Sequence, residues 1–164
     1  MVVHTIPPLY NGDSKILILG SFPSVKSREA MFFYGHPQNR FWKVISAMFE
    51  SKLPVSIEEK KELLLLNCVA VWDVIASCEI QGSSDTSIKN VIPNDLSVIL
   101  DNCNIRQIFV NGKAAEKYYK KYTEPFIGRK AIYLPSTSPA NAAWSEQKLI
   151  EKWGIIKTYL NGGD

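Results

Sequence analysis

The stretch Lys15-Ile-Leu-Ile-Leu-Gly-Ser-Phe-Pro-Ser24 decides how this chain is expected to fold, because an unbroken apolar run enters a glycine and then a polar turn. Such a run is typical of a strand that is buried on both faces of a parallel sheet, and we predict a strand over residues 15–20. In an open α/β sheet, ligands bind beyond the carboxyl ends of the strands. One wall of a ligand site is therefore expected to consist of Ser21, Phe22, Pro23 and Ser24.

Strand and helix patterns alternate along the rest of the chain. Further strands are predicted at residues 69–74, 107–111 and 130–134, and the polar segment 81–87 is predicted to be a loop. Helices are predicted at residues 38–49, 57–66, 95–102, 112–122 and from 145 to about 159; Ser56 and Glu59 form a capping box, and Asn94 is a candidate N-cap. This alternation predicts a three-layer αβα fold with a central, mainly parallel four-stranded sheet.

Length and composition favour one soluble domain over residues 1–164. Hydrophobic residues make up 46% of the chain and charged residues 21%, which is typical of globular proteins and excludes a disordered or fibrous chain. The three cysteines show no C-x-x-C spacing and there are only two histidines, so we expect no metal. No apolar run approaches the ~20 residues of a membrane span, and no leader-like segment opens the chain, so a cytoplasmic protein is expected. A net charge of +3 is compatible with nucleic-acid binding but too mild to indicate it.

Four strand-end motifs together resemble the uracil-DNA glycosylase superfamily, over about residues 15–153. The segment Gly35-His-Pro-Gln-Asn-Arg-Phe-Trp42 resembles the mismatch-specific branch, and Gly82-Ser-Ser-Asp85 resembles the hypoxanthine (deoxyinosine) branch. The four motifs, in chain order, are Gly20-Ser-Phe-Pro-Ser24, Trp72-Asp73, Asn111-Gly112 and Leu134-Pro-Ser-Thr-Ser138.

The resemblance implies hydrolysis of the N-glycosidic bond of a damaged base flipped out of DNA, leaving an abasic site, without a cofactor. Phe22 stands where other branches carry an Asp or Asn that positions water, and Leu134 stands where the uracil-specific branch carries a His. The hypoxanthine branch shares both departures, and there the implied catalytic group is Asn39. An amide can orient a water molecule but cannot deprotonate it, and Asn39 could instead cap the neighbouring helix.

A flipped base needs a stacking surface and hydrogen bonds to its edge. Phe22 is the stacking candidate, although a Phe beside a strand often packs in the core. Asp73 offers acceptor oxygens to the N–H donors of a purine, with a helix cap or an ion pair as the alternative. Asp85 is a second candidate acid or a solvated loop carboxylate. Trp72 adds aromatic area, although its apolar surroundings favour a core position.

Contacts to the DNA backbone are expected from turns and basic side chains around the motifs. The turn at Ser136, Thr137 and Ser138 supplies hydroxyl and backbone donors, or alternatively caps the last helix. Pro139, Ala140 and Asn141 could reach the gap left by the flipped base. A helix start next to Asn111 and Gly112 favours a phosphate or is an ordinary turn. The phosphate-binding candidates among the basic residues are Arg28 and Arg40.

The predicted activity is therefore monofunctional excision by a monomer, with hypoxanthine as the first candidate base, followed by uracil or xanthine. Two alternatives stay open: a uracil or mismatch-uracil glycosylase, and a non-catalytic nucleic-acid-binding module of the same fold. A serine hydrolase is disfavoured because the chain has no G-x-S-x-G elbow.

Overall fold

A parallel four-stranded sheet forms the centre of the computed structural model, which describes residues 1–161. The strands are β1 (Val2–Val3), β2 (Ile16–Gly20), β3 (Val69–Asp73), β4 (Ile75–Glu79), β5 (Lys89–Pro93), β6 (Gln107–Asn111) and β7 (Ala131–Leu134). The helices are α1 (Val25–Ala30), α2 (Phe41–Met48), α3 (Ile57–Leu66), α4 (Ser97–Leu100), α5 (Lys113–Tyr118), α6 (Glu124–Ile127), α7 (Glu146–Trp153) and α8 (Ile155–Asn161). None of these helices is long and apolar enough to cross a bilayer.

The central sheet has the strand order β3-β2-β6-β7, and all its pairings are parallel. Every residue of β2 and β3 is buried, as expected for strands covered on both faces. The register places Gly20 beside Asp73, and Asn111 beside Leu134. The α/β fold with a parallel four-stranded sheet is therefore confirmed, and all four predicted motifs meet at one edge of that sheet.

A second, antiparallel sheet of order β1-β4-β5 was absent from the prediction. Only Val74 separates β3 from β4, so the sequence reads as one strand followed by a loop, whereas the chain turns into a second sheet. The predicted loop at residues 81–87 is confirmed as the connection between β4 and β5, and it contains a short 3-10 turn at Asp85–Ser87. The small sheet matters for the site because it brings the N-terminal segment next to the carboxyl end of β3.

Several helix boundaries differ from the prediction because long-range hydrogen bonds capture the residues concerned. Helix α2 begins at Phe41 rather than at residue 38, since the Arg40 N–H donates to the Thr137 carbonyl. Asn94 is not the cap of α4: its side-chain amide donates to the Asp73 and Ile75 carbonyls.

Two other predicted helices are subdivided. The one predicted over residues 112–122 is α5 followed by a π-helical segment, Tyr119–Thr123, and α6. The last helix breaks at Gly154 into α7 and α8. Capping is otherwise as expected: the capping box at Ser56 is present in full, and Ser145 caps α7.

Helices α2 and α7 pack together beside the sheet and position the loops that precede them. The Phe41 and Trp153 rings meet edge to face at 5.8 Å, and both side chains are fully buried. The Trp153 indole N–H donates to the Pro135 carbonyl at 2.9 Å, just after β7 ends. This contact ties the last strand-end turn to the core and gives the site a rigid base.

Candidate active site

A cleft of about 300 Å³ opens at the carboxyl ends of the central strands. A volume of this size, in this position, fits a small ligand such as a single base. Most of the predicted site residues line it, namely Ser21, Phe22, Pro23, Ser24, Asn39, Asp73, Asp85, Asn111, Ser136, Thr137, Ser138 and Pro139. The predicted residues that do not line it are Trp72, Arg28, Arg40, Gly112 and Asn141. Ala140, predicted with Pro139 to reach the gap in the base stack, also lines the cleft. The residues that sequence reasoning missed include Gly20, Ser27, Phe33, Tyr34, His36 and Ser83.

Asp73 is the buried acid of the cleft. Its side chain is 6% exposed, and Oδ2 lies 2.7 Å from Nε2 of His4, a residue that no motif indicated. A Cβ on Gly20 would lie 2.4 Å from Asp73 Oδ1, so this carboxylate requires a glycine on the neighbouring strand. Asp73 thus makes a buried hydrogen bond with His4 and also lines the cleft.

Phe22 and Trp72 are both buried, but only Phe22 lines the cleft. Phe22 is buried yet lines the cleft, and the Arg28 guanidinium lies 5.6 Å from its ring centre. Trp72 is buried outside the cleft lining, and its indole N–H donates to the Ile6 carbonyl at 3.2 Å. Trp72, which was predicted to bind the base, lies outside the cleft lining. Adjacent residues of a strand point to opposite faces of the sheet, and Asp73 takes the cleft side.

Asn39 lies in the cleft wall immediately before α2. Its side-chain oxygen accepts a hydrogen bond from the Phe41 N–H at 2.9 Å, which closes a turn at the helix start. Asn39 thus abuts the start of α2, one residue before its N-cap Arg40, and the bond fixes the amide within the cleft. A carbonyl oxygen has two lone pairs, so a second acceptor position remains for a ligand or water.

Arg40 holds the turn after β7 rather than facing the cleft. Its guanidinium donates to the carbonyls of Ser138, Asn141 and Trp144. The Asn141 side chain in turn donates to the Ser136 carbonyl at 3.0 Å. Both residues were predicted to contact DNA, and in the structure their hydrogen-bonding groups support the turn instead.

Arg28 likewise links two segments of the cleft wall. It donates to the Gly82 carbonyl at 2.6 Å, and the Val25 N–H donates to the Ser83 hydroxyl at 2.9 Å. The Ser21 hydroxyl donates to Asp85 at 3.0 Å. These bonds fasten the loop after β4 to the turn after β2.

The turns after β6 and β7 are clamped to each other. The Asn111 amide donates to the Thr137 hydroxyl, and the Thr137 N–H donates to the Asn111 side-chain oxygen, both at 3.1 Å. Gly112 has φ +95°, which favours glycine, and an added Cβ would lie 3.0 Å from the Ser136 Cβ. These residues shape the rim of the cleft through their own contacts.

Two ionisable groups in the cleft have raised pKa values. Burial raises the pKa of the Asp85 carboxyl; the Ser21 hydrogen bond opposes this effect, and the charge of Asp73 adds to it. Burial, followed by the charge of Asp73, raises the pKa of the Tyr34 hydroxyl well above its ordinary range, so this hydroxyl stays protonated. The Tyr34 backbone has φ +52°, a strained conformation for a residue with a large side chain. Its ring stacks on Phe41 with the ring centres 3.9 Å apart. Neither feature could be predicted from the sequence pattern.

Within residues 1–161, no group of three or more His, Cys, Asp or Glu side chains is arranged to hold a metal ion. The polar groups that line the cleft are carboxylates, amides, hydroxyls and backbone donors. Such groups suit hydrogen-bond recognition of an uncharged, planar, polar ligand.

Comparisons with known proteins identify the family to which this chain is similar. The sequence profile described as "Uracil DNA glycosylase superfamily" matches residues 7–158. The "Hypoxanthine DNA glycosylase" of Methanosarcina acetivorans is 32% identical over 95% of this chain and 98% of its own length. The protein of that name from Methanosarcina barkeri is 32% identical over 82% and 85%. The solution NMR structure of a putative uracil DNA glycosylase from M. acetivorans aligns with a TM-score of 0.80 and 29% identity, covering 94% of this chain and 96% of that one. The chain belongs to the uracil-DNA glycosylase superfamily.

Proposed function

We propose that this protein is a DNA glycosylase that hydrolyses the N-glycosidic bond of a deaminated base flipped out of DNA, with hypoxanthine as its main substrate. The observation that carries the proposal is the buried Asp73 carboxylate in a cleft at the carboxyl ends of the sheet. The curated relatives bearing the name hypoxanthine DNA glycosylase support the same base.

Asp73 supplies an acceptor to the edge of the base. Hypoxanthine presents an N1–H donor beside its O6 acceptor, whereas adenine presents a bare N1 beside an amino group. A carboxylate accepts from N1–H and repels the lone pair of adenine N1. The N–H groups of the turn at residues 21–24 then serve O6. Since a site built to bind an N–H strongly rejects an analogue that lacks it, this arrangement rejects adenine.

Asn39 acts as the positioning group for the attacking water. Its oxygen keeps one acceptor position beyond the Phe41 N–H and holds the water against the sugar. The bond between C1′ and the base nitrogen breaks with its electron pair leaving on the base, and the water oxygen bonds to C1′. The water proton passes to solvent or to the departing base. An amide contributes orientation rather than proton removal, so the rate depends on the departure of the base.

The turn at residues 136–141 is the proposed contact to the DNA strand. Its serine and threonine hydroxyls lie at the rim of the cleft, where phosphates flanking a flipped nucleotide would pass. Pro139 and Ala140 are exposed at its tip and are placed to enter the gap in the base stack. We propose that the protein acts as a monomer, without metal or cofactor, in the compartment that holds the DNA.

The test is base release from end-labelled duplexes with a single deoxyinosine, deoxyuridine or deoxyxanthosine, followed by alkali to cut abasic products. Wild type is expected to cut at deoxyinosine, and Asn39→Ala is expected to lose about 100-fold or more in single-turnover rate. Asn102→Ala is the matched control, because Asn102 is exposed near the opposite edge of the sheet, just before β6 begins.

Dominant release of uracil would move the protein to the uracil or mismatch-uracil alternative. Tight binding without any abasic product would favour the non-catalytic module, a reading that draws on the apolar side chains of Phe22 and Leu134. An Asn39→Ala rate equal to that of the control would refute the role assigned to Asn39.

A further inference from the structure

His4 lies outside every motif of the chain, yet it contacts the carboxylate proposed to read the base. Its side chain is 1% exposed, and Nε2 lies 2.7 Å from Asp73 Oδ2. An ionised carboxylate can only accept, so the proton in this hydrogen bond belongs to Nε2. His4 does not line the cleft, and it therefore acts on a ligand only through Asp73.

The surrounding structure holds the imidazole in place. The rings of Phe22, Phe33 and Trp72 surround it, with centroid distances of 6.0, 6.4 and 6.3 Å. The His4 N–H donates to the Ala76 carbonyl at 2.6 Å, continuing the pairing of β1 with β4. The small second sheet thus delivers one buried N–H donor to one oxygen of Asp73.

A free carboxylate would create a problem for an enzyme that removes hypoxanthine from DNA. Guanine carries the same N1–H and O6 as hypoxanthine, and differs only by its 2-amino group. A carboxylate with both oxygens free accepts from N1–H and from the amino group at once, as a bidentate pair. Such a site would favour guanine, a normal base, over the lesion.

The geometry around Asp73 removes this preference. Oδ2 already accepts from His4, while Oδ1 lies against Gly20, which lines the cleft. Asp73 therefore presents one unshared oxygen to the base, which can read one ring N–H. Oδ2 keeps a second lone pair, but a 2-amino group directed there would have to share the oxygen with the Nε2–H of His4 and would lie against that donor. A buried donor satisfied this poorly is expected to cost roughly 10- to 100-fold in binding.

We infer that His4 is a specificity-determining positioning residue, which leaves Asp73 a single unshared acceptor oxygen and so makes the site reject guanine. This inference rests on the proposed function, because it assumes that Asp73 faces the base edge.

The test measures base selectivity separately from cleavage. Duplexes carry 2′-fluoro-deoxyinosine or 2′-fluoro-deoxyguanosine opposite thymine, because the fluorine resists glycosidic hydrolysis and leaves the base edge unchanged. The ratio of the two dissociation constants is measured for wild type, His4→Phe, His4→Asn and His4→Gln. Phenylalanine preserves the aromatic packing without a donor, asparagine is too short to reach Oδ2, and glutamine can place an N–H near the position of Nε2.

Wild type is expected to bind the inosine duplex more tightly. His4→Phe and His4→Asn are expected to shift the ratio toward guanine by about 10- to 100-fold, and His4→Gln to restore most of the selectivity. His4→Asn, whose amide is too short to reach Oδ2, keeps the test decisive if His4→Phe proves unstable in thermal unfolding.

An equal loss of affinity for both duplexes in His4→Phe and His4→Asn would overturn the inference and leave His4 a packing residue. A wild-type ratio near one would overturn it as well. Base release from deoxyinosine by wild type, measured in parallel, tests the proposed function independently. Absence of release would refute glycosylase action, while the binding ratios would still decide the role of His4.

Discussion

Replacing Arg40 by methionine is expected to destabilise the protein without removing a phosphate contact. The guanidinium donates to three carbonyls of the turn after β7, at 3.3 Å to Ser138, at 3.0 Å to Asn141, and to Trp144. Hydrogen bonds to a charged group contribute about 1.5–3 kcal/mol each. These carbonyls belong to half-exposed residues and regain water in part, so the expected total is about 3 kcal/mol rather than the full sum.

For a chain of this length, 1 kcal/mol corresponds to a shift in Tm of about 2–4 °C, so Arg40→Met is expected to lower Tm by about 6–12 °C. Arg40→Lys keeps the charge, but its single ammonium group cannot reach all three carbonyls, and an intermediate Tm is expected. Thermal unfolding followed by circular dichroism measures both variants.

The salt dependence of DNA binding separates this structural role from the phosphate contact that the sequence suggested. Loss of one phosphate contact lowers the slope of log K against log salt by about 1. If Arg40 only supports the turn, Arg40→Met weakens binding while the slope stays at the wild-type value. A slope reduced by about 1 together with an unchanged Tm would refute the reasoning.

Three further variants test other parts of the structure. In Gly20→Ala the new Cβ would lie 2.4 Å from Asp73 Oδ1 and must displace it. A shift of about 1 Å in a site can lower the single-turnover rate of base release by about 100-fold. Gly12→Ala is the control and should match wild type, because its Cβ meets open space. Ser56→Ala breaks the capping box of α3 and should cost about 1 kcal/mol in urea unfolding without changing base release. The pKa of Asp85 is raised in the folded state, so the folded protein loses stability as the pH rises from 3.8, the ordinary pKa of an Asp, through the raised pKa. Asp85→Asn should therefore have the higher Tm at neutral pH and match wild type near about pH 3. A lower Tm of this variant at neutral pH would contradict the predicted sign.

The parallel sheet was predictable because local sequence carries its signal. Buried parallel strands read as continuous apolar runs, as in β2 and β3, and the run of β2 ends in a glycine. The pairing of β4 with β5 was not predictable in this way. Strand β4 follows β3 after a single residue, and neither β4 nor β5 is buried along its whole length. Their burial pattern therefore appears only once the strands are paired.

The same contrast holds for the cleft. Turn residues after the strands could be predicted to line a ligand site, because the carboxyl ends of parallel strands meet at one edge. The hydrogen bonds of Arg28 and Arg40 to carbonyls of the cleft wall were not predictable, since a side chain's partners depend on which carbonyls the fold brings within reach. Trp72 and Asp73 show the limit most simply: they are neighbours in sequence, and the pleat of β3 sends one to the core and the other to the cleft.

The sequence by itself determined the sheet, the order of its motifs, and the family resemblance that points to base excision, because strand burial and turn chemistry are written in consecutive residues. Only the tertiary structure decided how Asp73 is held and oriented. His4 is 69 positions away in the chain and reaches the carboxylate through a two-residue strand in a separate sheet. A contact of that kind leaves no periodicity or spacing in the sequence, because it depends on the geometry of the packed elements rather than on any local pattern.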